Sequence, residues 1–343
     1  MAANNSSTSL LQQQTHDIVS FAMGSPATGA VPIYDSVLAG TRAAAFAYGA
    51  TEGEMTLRDE LLEYLETTPE RTSADRLLIT SGGMQGLDLA AKLFVDPGDL
   101  VIVEAPTYTN GSATVLAYGA DILESPIDDE GMIVEALPDL VQRAGRLPKA
   151  IYVIPNFQNP TGTAMSLELR NLLLALAREW GSIIIDDDPY GMLRFDGEHI
   201  PGFRELGAGD PLVFSVRTFS KILAPGLRVG WVDADPSVIA KLIDAKQTVD
   251  TCTNVPNQLL VAEFLRRGDL EPHLKRLQSE YLRRMRAMHS SLQRHFGAEA
   301  TWTNPQGGFF LWLTLGEHID TSKLFEPAVQ NRVAFIPGSA MLL

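Results

Sequence analysis

In the stretch RTFSKILAPGLRVGW (217–231), Lys221 follows two hydroxyl residues, Thr218 and Ser220. Pro225 and Gly226 then turn the chain, and Arg228 enters the next apolar run. An amine attacks an aldehyde carbon, while hydroxyls and a guanidinium hold a phosphate. Both capacities in one short stretch are what pyridoxal 5′-phosphate (PLP) requires of a protein. Alone the stretch decides nothing, because a lysine is ordinarily a solvated surface charge.

Four other segments carry candidates for the remaining contacts. TSGGMQGLDLAAKLF (80–94) leads small residues directly into a helix, so its first-turn amides and dipole suit an anion. It has no Walker lysine, which disfavours a nucleotide loop. EAPTYTNG (104–111) presents Tyr108, a ring that either stacks on a planar cofactor or simply packs. NFQNPTGT (156–163) forms a tight turn in which Asn159 either supports the turn or donates to a ring oxygen. In DDDPYG (186–191) three consecutive acids repel one another unless each has a partner, so at least one should face a cation. Asp187, three residues before Tyr190, would hold a pyridine nitrogen protonated while the phenol hydrogen-bonds nearby. A divalent metal is the competing explanation, ranked lower because no histidine or spaced acid surrounds the run.

The elements that must position these residues follow from periodicity. Strands are expected at 77–80, 100–104, 122–125, 150–155, 182–186, 212–216 and 227–232, and helices at 83–94, 108–118, 133–144, 166–180 and 236–247. This alternation predicts an α/β fold, a three-layer mostly parallel sheet with helices on both faces. Ligands bind such sheets at the carboxyl ends of the strands, and each motif above falls just after a strand. A helix at 32–46 and helical spacing of Leu57, Leu61, Leu62 and Leu65 precede the sheet. A long helix at 270–296, the run GGFFLWLTL (307–315), a helix near 321–330 and VAFIP (333–337) predict a smaller α+β part. The expected organisation is an N-terminal arm (1–17), a segment joining the small domain (18–47), a large cofactor domain (48–270) and a small domain (271–343).

Composition narrows the partners. With 343 residues, 45% of them apolar, the chain can bury a sizeable core. The 27 basic against 42 acidic residues give a formal charge of −15, which argues against nucleic acid and anionic membrane surfaces. Cys252 alone cannot form an internal disulfide, which fits a reducing, cytoplasmic setting. The polar start MAANNSSTSLLQQQTHD does not read as a secretory signal. No apolar run approaches the roughly 18 residues that span a bilayer.

Taken as a set and in order, YGATEG, TSGGMQGLDL, EAPTY, QNPTG, DDPYG, SKILAPGLRVGW and PGSA resemble the fold-type I PLP-dependent aminotransferases over residues 18–341. The resemblance is to the branch with 2-aminoadipate aminotransferase-like enzymes and the PLP domains of related regulators. It implies transfer of an amino group between an L-amino acid and a 2-oxo acid, with Lys221 forming the Schiff base and moving the substrate proton. It implies that Asp187 holds the pyridine nitrogen, that Asn159 and Tyr190 hold the ring 3′-oxygen, and that Tyr108 stacks on the ring. Amides of Gly83 and Met84, with Thr218, Ser220 and Arg228, would hold the phosphate. Tyr48 matches a tyrosine lent to the neighbouring subunit, which implies a homodimer with shared sites. Gly24 matches a glycine on the substrate side, where Asn159 also lies.

Two departures from the family pattern stand out. Gly83 and Met84 replace polar side chains, leaving backbone donors. The sequence ends at PGSAMLL, before the strand that supplies the arginine clamping the substrate carboxylate. Charged hydrogen bonds contribute about 1.5 to 3 kcal/mol each, so the clamp matters and an incomplete sequence is the expectation. Two alternatives stay open at this point. Another PLP reaction, such as decarboxylation, elimination or oxidation, would show in product analysis. A PLP-sensing regulator domain would show as DNA retention at moderate salt.

Overall fold

The computed structural model of the chain describes residues 19–21 and 46–342. The expected arm at 1–17, the helix expected at 32–46 apart from its last residue, and Gly24 lie outside the described residues. The strands are β1 (Val19–Ser20), β2 (Leu77–Thr80), β3 (Leu100–Ala105), β4 (Asp121–Asp128), β5 (Gly131–Met132), β6 (Ala150–Val153), β7 (Ile183–Asp187), β8 (Val213–Thr218), β9 (Gly230–Asp233), β10 (Ala300–Trp302), β11 (Leu313–Leu315) and β12 (Val333–Ala334).

One sheet has the order β2-β9-β8-β7-β6-β3-β4-β5. Its centre, from β8 through β7, β6 and β3 to β4, is parallel. Strand β9 runs against both β2 and β8, and β5 runs against β4. The central strands are apolar along their length because both faces are covered. Alternate residues feed two clusters. Val101, Val103, Tyr152, Ile185, Phe214 and Val216 belong to one, together with the helices Gly83–Phe94 and Pro236–Gln247. Ile102, Ile151, Val153, Ile184 and Val213 belong to the other, together with the helices Leu137–Ala144 and Leu167–Trp180. The last of these begins where Ser166 Oγ accepts from Leu169 N, and it ends at Gly181 in the left-handed conformation.

Beyond the short strands β5 and β10, which were not expected, three segments differ from the sequence-based expectation. The helix Val255–Arg266, with Pro256 in its first turn, was not expected. In the first turn a proline has no intrahelical N–H bond to lose, and Asn254 caps the turn through Asn257 N at 3.0 Å. Strand β9 starts at Gly230 rather than 227, since Arg228 takes a positive φ of 51°. Of GGFFLWLTL only Leu313–Leu315 is a strand. Gly307 and Gly308 lie so close to Phe157 that an added Cβ would meet its ring at 2.3 Å from Gly307 and its Cβ at 2.5 Å from Gly308, which bends this run out of the strand.

The smaller part comprises the helix Leu270–His295, the antiparallel pair β10–β11, the helix Thr321–Gln330 and the parallel pair β1–β12. Among the described residues no helix is long and apolar enough to cross a membrane.

Arg170, fully buried, ties the loop after β6 to the segment at Pro201. Its guanidinium donates to Met165 O (2.9 Å), Pro155 O (2.9 Å), Pro201 O (3.1 Å) and Asn156 Oδ1 (2.7 Å). Replacing it orphans several buried acceptors at once. Arg170→Met should therefore lower the unfolding free energy by about 3 kcal/mol or more, read by urea denaturation.

Candidate active site

Strands β2, β3, β6, β7 and β8 all point the same way, so their carboxyl ends share one edge of the sheet, where β9 begins. That edge gathers Gly83 and Met84 after β2, Tyr108 after β3, Asn159 after β6, Tyr190 after β7, and Thr218, Ser220, Lys221 and Arg228 around the β8–β9 connection. Asp187 is the last residue of β7 itself. Tyr48 stands apart, 87% exposed before the helix Met55–Glu66.

The acid run is divided by the pleat. Asp186 shares a face with Ile184 and meets Ser215 Oγ (2.7 Å) and Arg217 Nη1 (3.1 Å) from β8. Burial opposes the charge on Arg217, but Asp186, Glu70 and Asp188 outweigh it and push its pKa further up. Asp188 accepts from Gly191 N (2.7 Å) in its own turn and from Asn156 Nδ2 (2.7 Å) in the loop after β6. Asp187 faces the other way, with Ile185, and accepts from the Tyr152 hydroxyl at 2.9 Å. Burial is the main reason its carboxyl is pushed up to about 7, and the Tyr152 bond acts against the rise.

The turn before the helix Gly83–Phe94 is built by close backbone approach. Gly82 has φ +81°, and a Cβ there would stand 2.3 Å from Arg228 Nη2. A Cβ on Gly230 would stand 2.6 Å from Arg217 O. Ser81 is held by Asp250 Oδ2 (2.8 Å), which also accepts from Gln85 Nε2 (2.7 Å), and Asp250 Oδ1 accepts from the buried Lys246 (2.7 Å). Arg228 donates to Ser220 Oγ (3.1 Å), Pro225 O (3.3 Å) and Ser81 O (3.3 Å), and Thr218 Oγ1 donates to Ser220 Oγ (2.9 Å). The partners of Arg228 among the described residues are neutral oxygens, so its charge remains available to an anion. The amides of Gly83 and Met84 precede the first intrahelical bond. Met84 also contributes its side chain, whose sulfur accepts from the Tyr108 hydroxyl at 3.5 Å.

Lys221 is partly buried, and burial lowers its pKa from the ordinary amine value. Asp187 opposes that shift and Arg228 adds to it, so both act on this amine. Burial and the nearby Asp187 push the phenol of Tyr190 well up, and the Asn159 amide hydrogen-bonds it. The Tyr190 ring is wedged edge-on against Phe309 and Phe310, each centred 5.7 Å away.

Sequence reasoning missed several residues around this edge. Tyr152, Arg217 and Glu104 all approach it through strand register, which motif spacing does not reveal. The available signal was a phenol, a guanidinium and a carboxyl inside otherwise apolar strands. Glu104 at the end of β3 accepts from Ile154 N (3.1 Å) and Gln158 Nε2 (3.3 Å), and Gln158 in turn accepts from Thr161 N (3.0 Å) and Oγ1 (2.8 Å). Glu104 thereby braces the turn that carries Asn159.

An amine, an open cation with free amides and a buried carboxyl now stand on one edge. The profile of the family Aminotransferase class I and II matches residues 17–343. The chain belongs to that family. This aminotransferase is 39% identical over 337 residues to the aromatic-amino-acid aminotransferase 1 of Thermococcus litoralis, covering 95% of this chain and 81% of the relative. It is 37% identical over 333 residues to the 2-aminoadipate transaminase of Thermus thermophilus, covering 95% of this chain and 82% of that relative. Its fold superposes on the kynurenine aminotransferase of Pyrococcus horikoshii, solved in complex with PMP, with a TM-score of 0.92 and 38% identity over 98% of this chain and 85% of that one. The aminotransferase is therefore a fold-type I enzyme that uses PLP to pass an amino group between amino and 2-oxo acids.

Burial pushes Glu104 up to about 8 from an ordinary value of 4.5, so it keeps its proton in the fold at a pH where the unfolded chain has lost it. Stability from this group is full below the unfolded value and is lost as pH rises through the folded one. The melting temperature of the aminotransferase should fall between about pH 4.5 and 8, and Glu104→Gln should flatten that fall. Calorimetry across the range checks this.

Proposed function

We propose that Lys221 is the amine that holds the cofactor and moves the substrate proton, and that the edge residues around it hold the cofactor's other groups. The observation carrying this reading is the place of Lys221 on one sheet edge with Asp187 and Arg228, both of which act electrostatically on its amine. The donor set fits PLP. Arg228, bonded only to neutral oxygens among the described residues, lies over Gly82 beside free first-turn amides and matches a phosphate.

PLP supplies a ring that accepts the electron pair left when the substrate Cα–H bond breaks. The protein's part is to orient and to handle protons. Lowered by burial, Lys221 keeps more of its Nζ neutral at neutral pH, which favours both attack on a carbonyl carbon and uptake of the Cα proton. Asp187 would pair with the ring nitrogen, and Tyr190 with Asn159 would hold the ring 3′-oxygen. The raised pKa of Tyr190 keeps its phenol a donor. Tyr108 would cover the ring face. Gly83 and Met84 amides, Thr218, Ser220 and Arg228 would hold the phosphate, and Gly24 and Asn159 would line the substrate side.

Further parts of the reading concern organisation. We propose a homodimer in which Tyr48, exposed on its own protomer, reaches the phosphate of a neighbouring copy. The large unit is assigned to 48–270 and the small one to 271–343, with 18–47 joined to the small unit; the β1–β12 pairing supports that join. A cytoplasmic setting suits a chain whose single thiol is Cys252.

Lys221→Ala should abolish both turnover and the visible absorbance of the lysine-bound cofactor; a variant keeping both overturns the assignment. Incubation with aromatic amino acids and 2-aminoadipate, the substrates named for its relatives, should convert the cofactor absorbance to that of the amine form. No conversion with any donor would count against this substrate class. Tyr48→Phe should weaken PLP binding about five-fold in an apoprotein titration. Sedimentation showing a monomer would refute the shared site.

A further inference from the structure

Tyr152 lies in the middle of β6, in the run AIYVIP, and is 1% exposed. Any apolar ring would fill that volume, and a buried hydroxyl is costly unless it is bonded. Its register places it opposite Val103 of β3 and Ile185 of β7. Asp187 is two residues further along β7 on the same face, and the Tyr152 hydroxyl donates to its Oδ2 at 2.9 Å. A second peculiarity stands on the other side of that hydroxyl. Gly111 sits inside the helix Thr109–Ala117, where glycine is a destabilising choice, and a Cβ on it would meet the Tyr152 oxygen at 2.1 Å. The helix thus presents bare backbone where the phenol oxygen stands, and one constraint accounts for both residues. Among the described residues Asp187 Oδ1 has no protein hydrogen-bond partner.

We propose that Tyr152 is a positioning residue for Asp187: seated against Gly111, its hydroxyl holds Oδ2 and turns Oδ1 toward the ring nitrogen of the cofactor. The inference rests on the reading of Asp187 given above. A donor on Oδ2 favours the carboxylate, against burial and the neighbouring Asp188 and Asp186, which raise its pKa. Burial first, and Asp187 second, keep the Tyr152 phenol itself protonated, so it serves as a donor throughout the working range. Without this donor Asp187 becomes the stronger base and draws the shared proton from the ring.

The test is made on the holoenzyme loaded with PLP labelled with 15N in its ring, alongside PLP titration of the apoprotein. Tyr152→Phe should move the 15N resonance toward that of neutral pyridine and weaken PLP binding about ten-fold, while circular dichroism shows a folded protein. Placing 3-fluorotyrosine at 152, nearly isosteric and a stronger donor, should move the resonance the opposite way; it serves equally if the phenylalanine variant does not fold. A folded variant with wild-type resonance and affinity overturns the proposal. Asp187→Asn separates the two readings. If it shifts the resonance and the Tyr152 variants do not, the role of Tyr152 alone fails; if it does not, the underlying reading of Asp187 fails as well.

Discussion

Three adjacent carboxyls at the end of a buried strand cannot coexist unless each is given its own counterpart, and the site depends on how that is met. The pleat sends Asp186 and Asp187 to opposite faces, and the turn folds Asp188 back on its own amides. Arg217 on the neighbouring strand serves the carboxyls of one face, meeting Asp186 at 3.1 Å and Glu70 at 2.8 Å. Removing such a buried partner costs about 3 to 5 kcal/mol, because the charge it leaves has no solvent to return to. Of the three, Asp187 alone is turned to the other face, where it accepts from Tyr152 and acts on the Lys221 amine. The arrangement separates an ion-paired carboxyl from the one proposed to meet the cofactor within two consecutive residues.

The opposite end of the site is governed by distance between backbones. Gly82 and Gly230 let the β2 turn lie directly against the start of β9, with the Arg228 guanidinium over it. The Lys246–Asp250 pair then anchors Ser81 from the far side of the same turn. An anion site made of amides is only as exact as the backbone presenting them. Here that backbone is clamped from two directions, which suits a pattern in which Gly83 and Met84 contribute no charged side chain.

Much of this architecture could be read from the residues. Alternating apolar runs and helical spacings placed the sheet strands to within a few residues, because fully covered strands carry continuous apolar sequence. Turn chemistry located Gly83, Asn159, Asp187 and Lys221 on a common edge. What stayed hidden depends on register and on contacts distant in sequence. Tyr152 meets Asp187 only because β6 and β7 align as they do, and Arg217 finds Asp186 for the same reason. The helix Val255–Arg266 went unread although Pro256 suits a first turn, and the bend at Gly307 and Gly308 depends on Phe157 some 150 residues earlier.

The reversed direction of β9 has one more consequence. Because that strand runs against β8, the segment between them leaves and re-enters the same edge, and it is closed at its base by Phe219 N to Val229 O at 3.0 Å. Lys221 therefore sits on a short, pinned loop and cannot leave the crevice by more than the length of its own side chain. On the role proposed for Lys221, an amine set free there would remain an intramolecular reagent. Groups held in this way work at effective molarities that no dissolved amine can reach, so an external base offered in its place would recover only a small part of the rate.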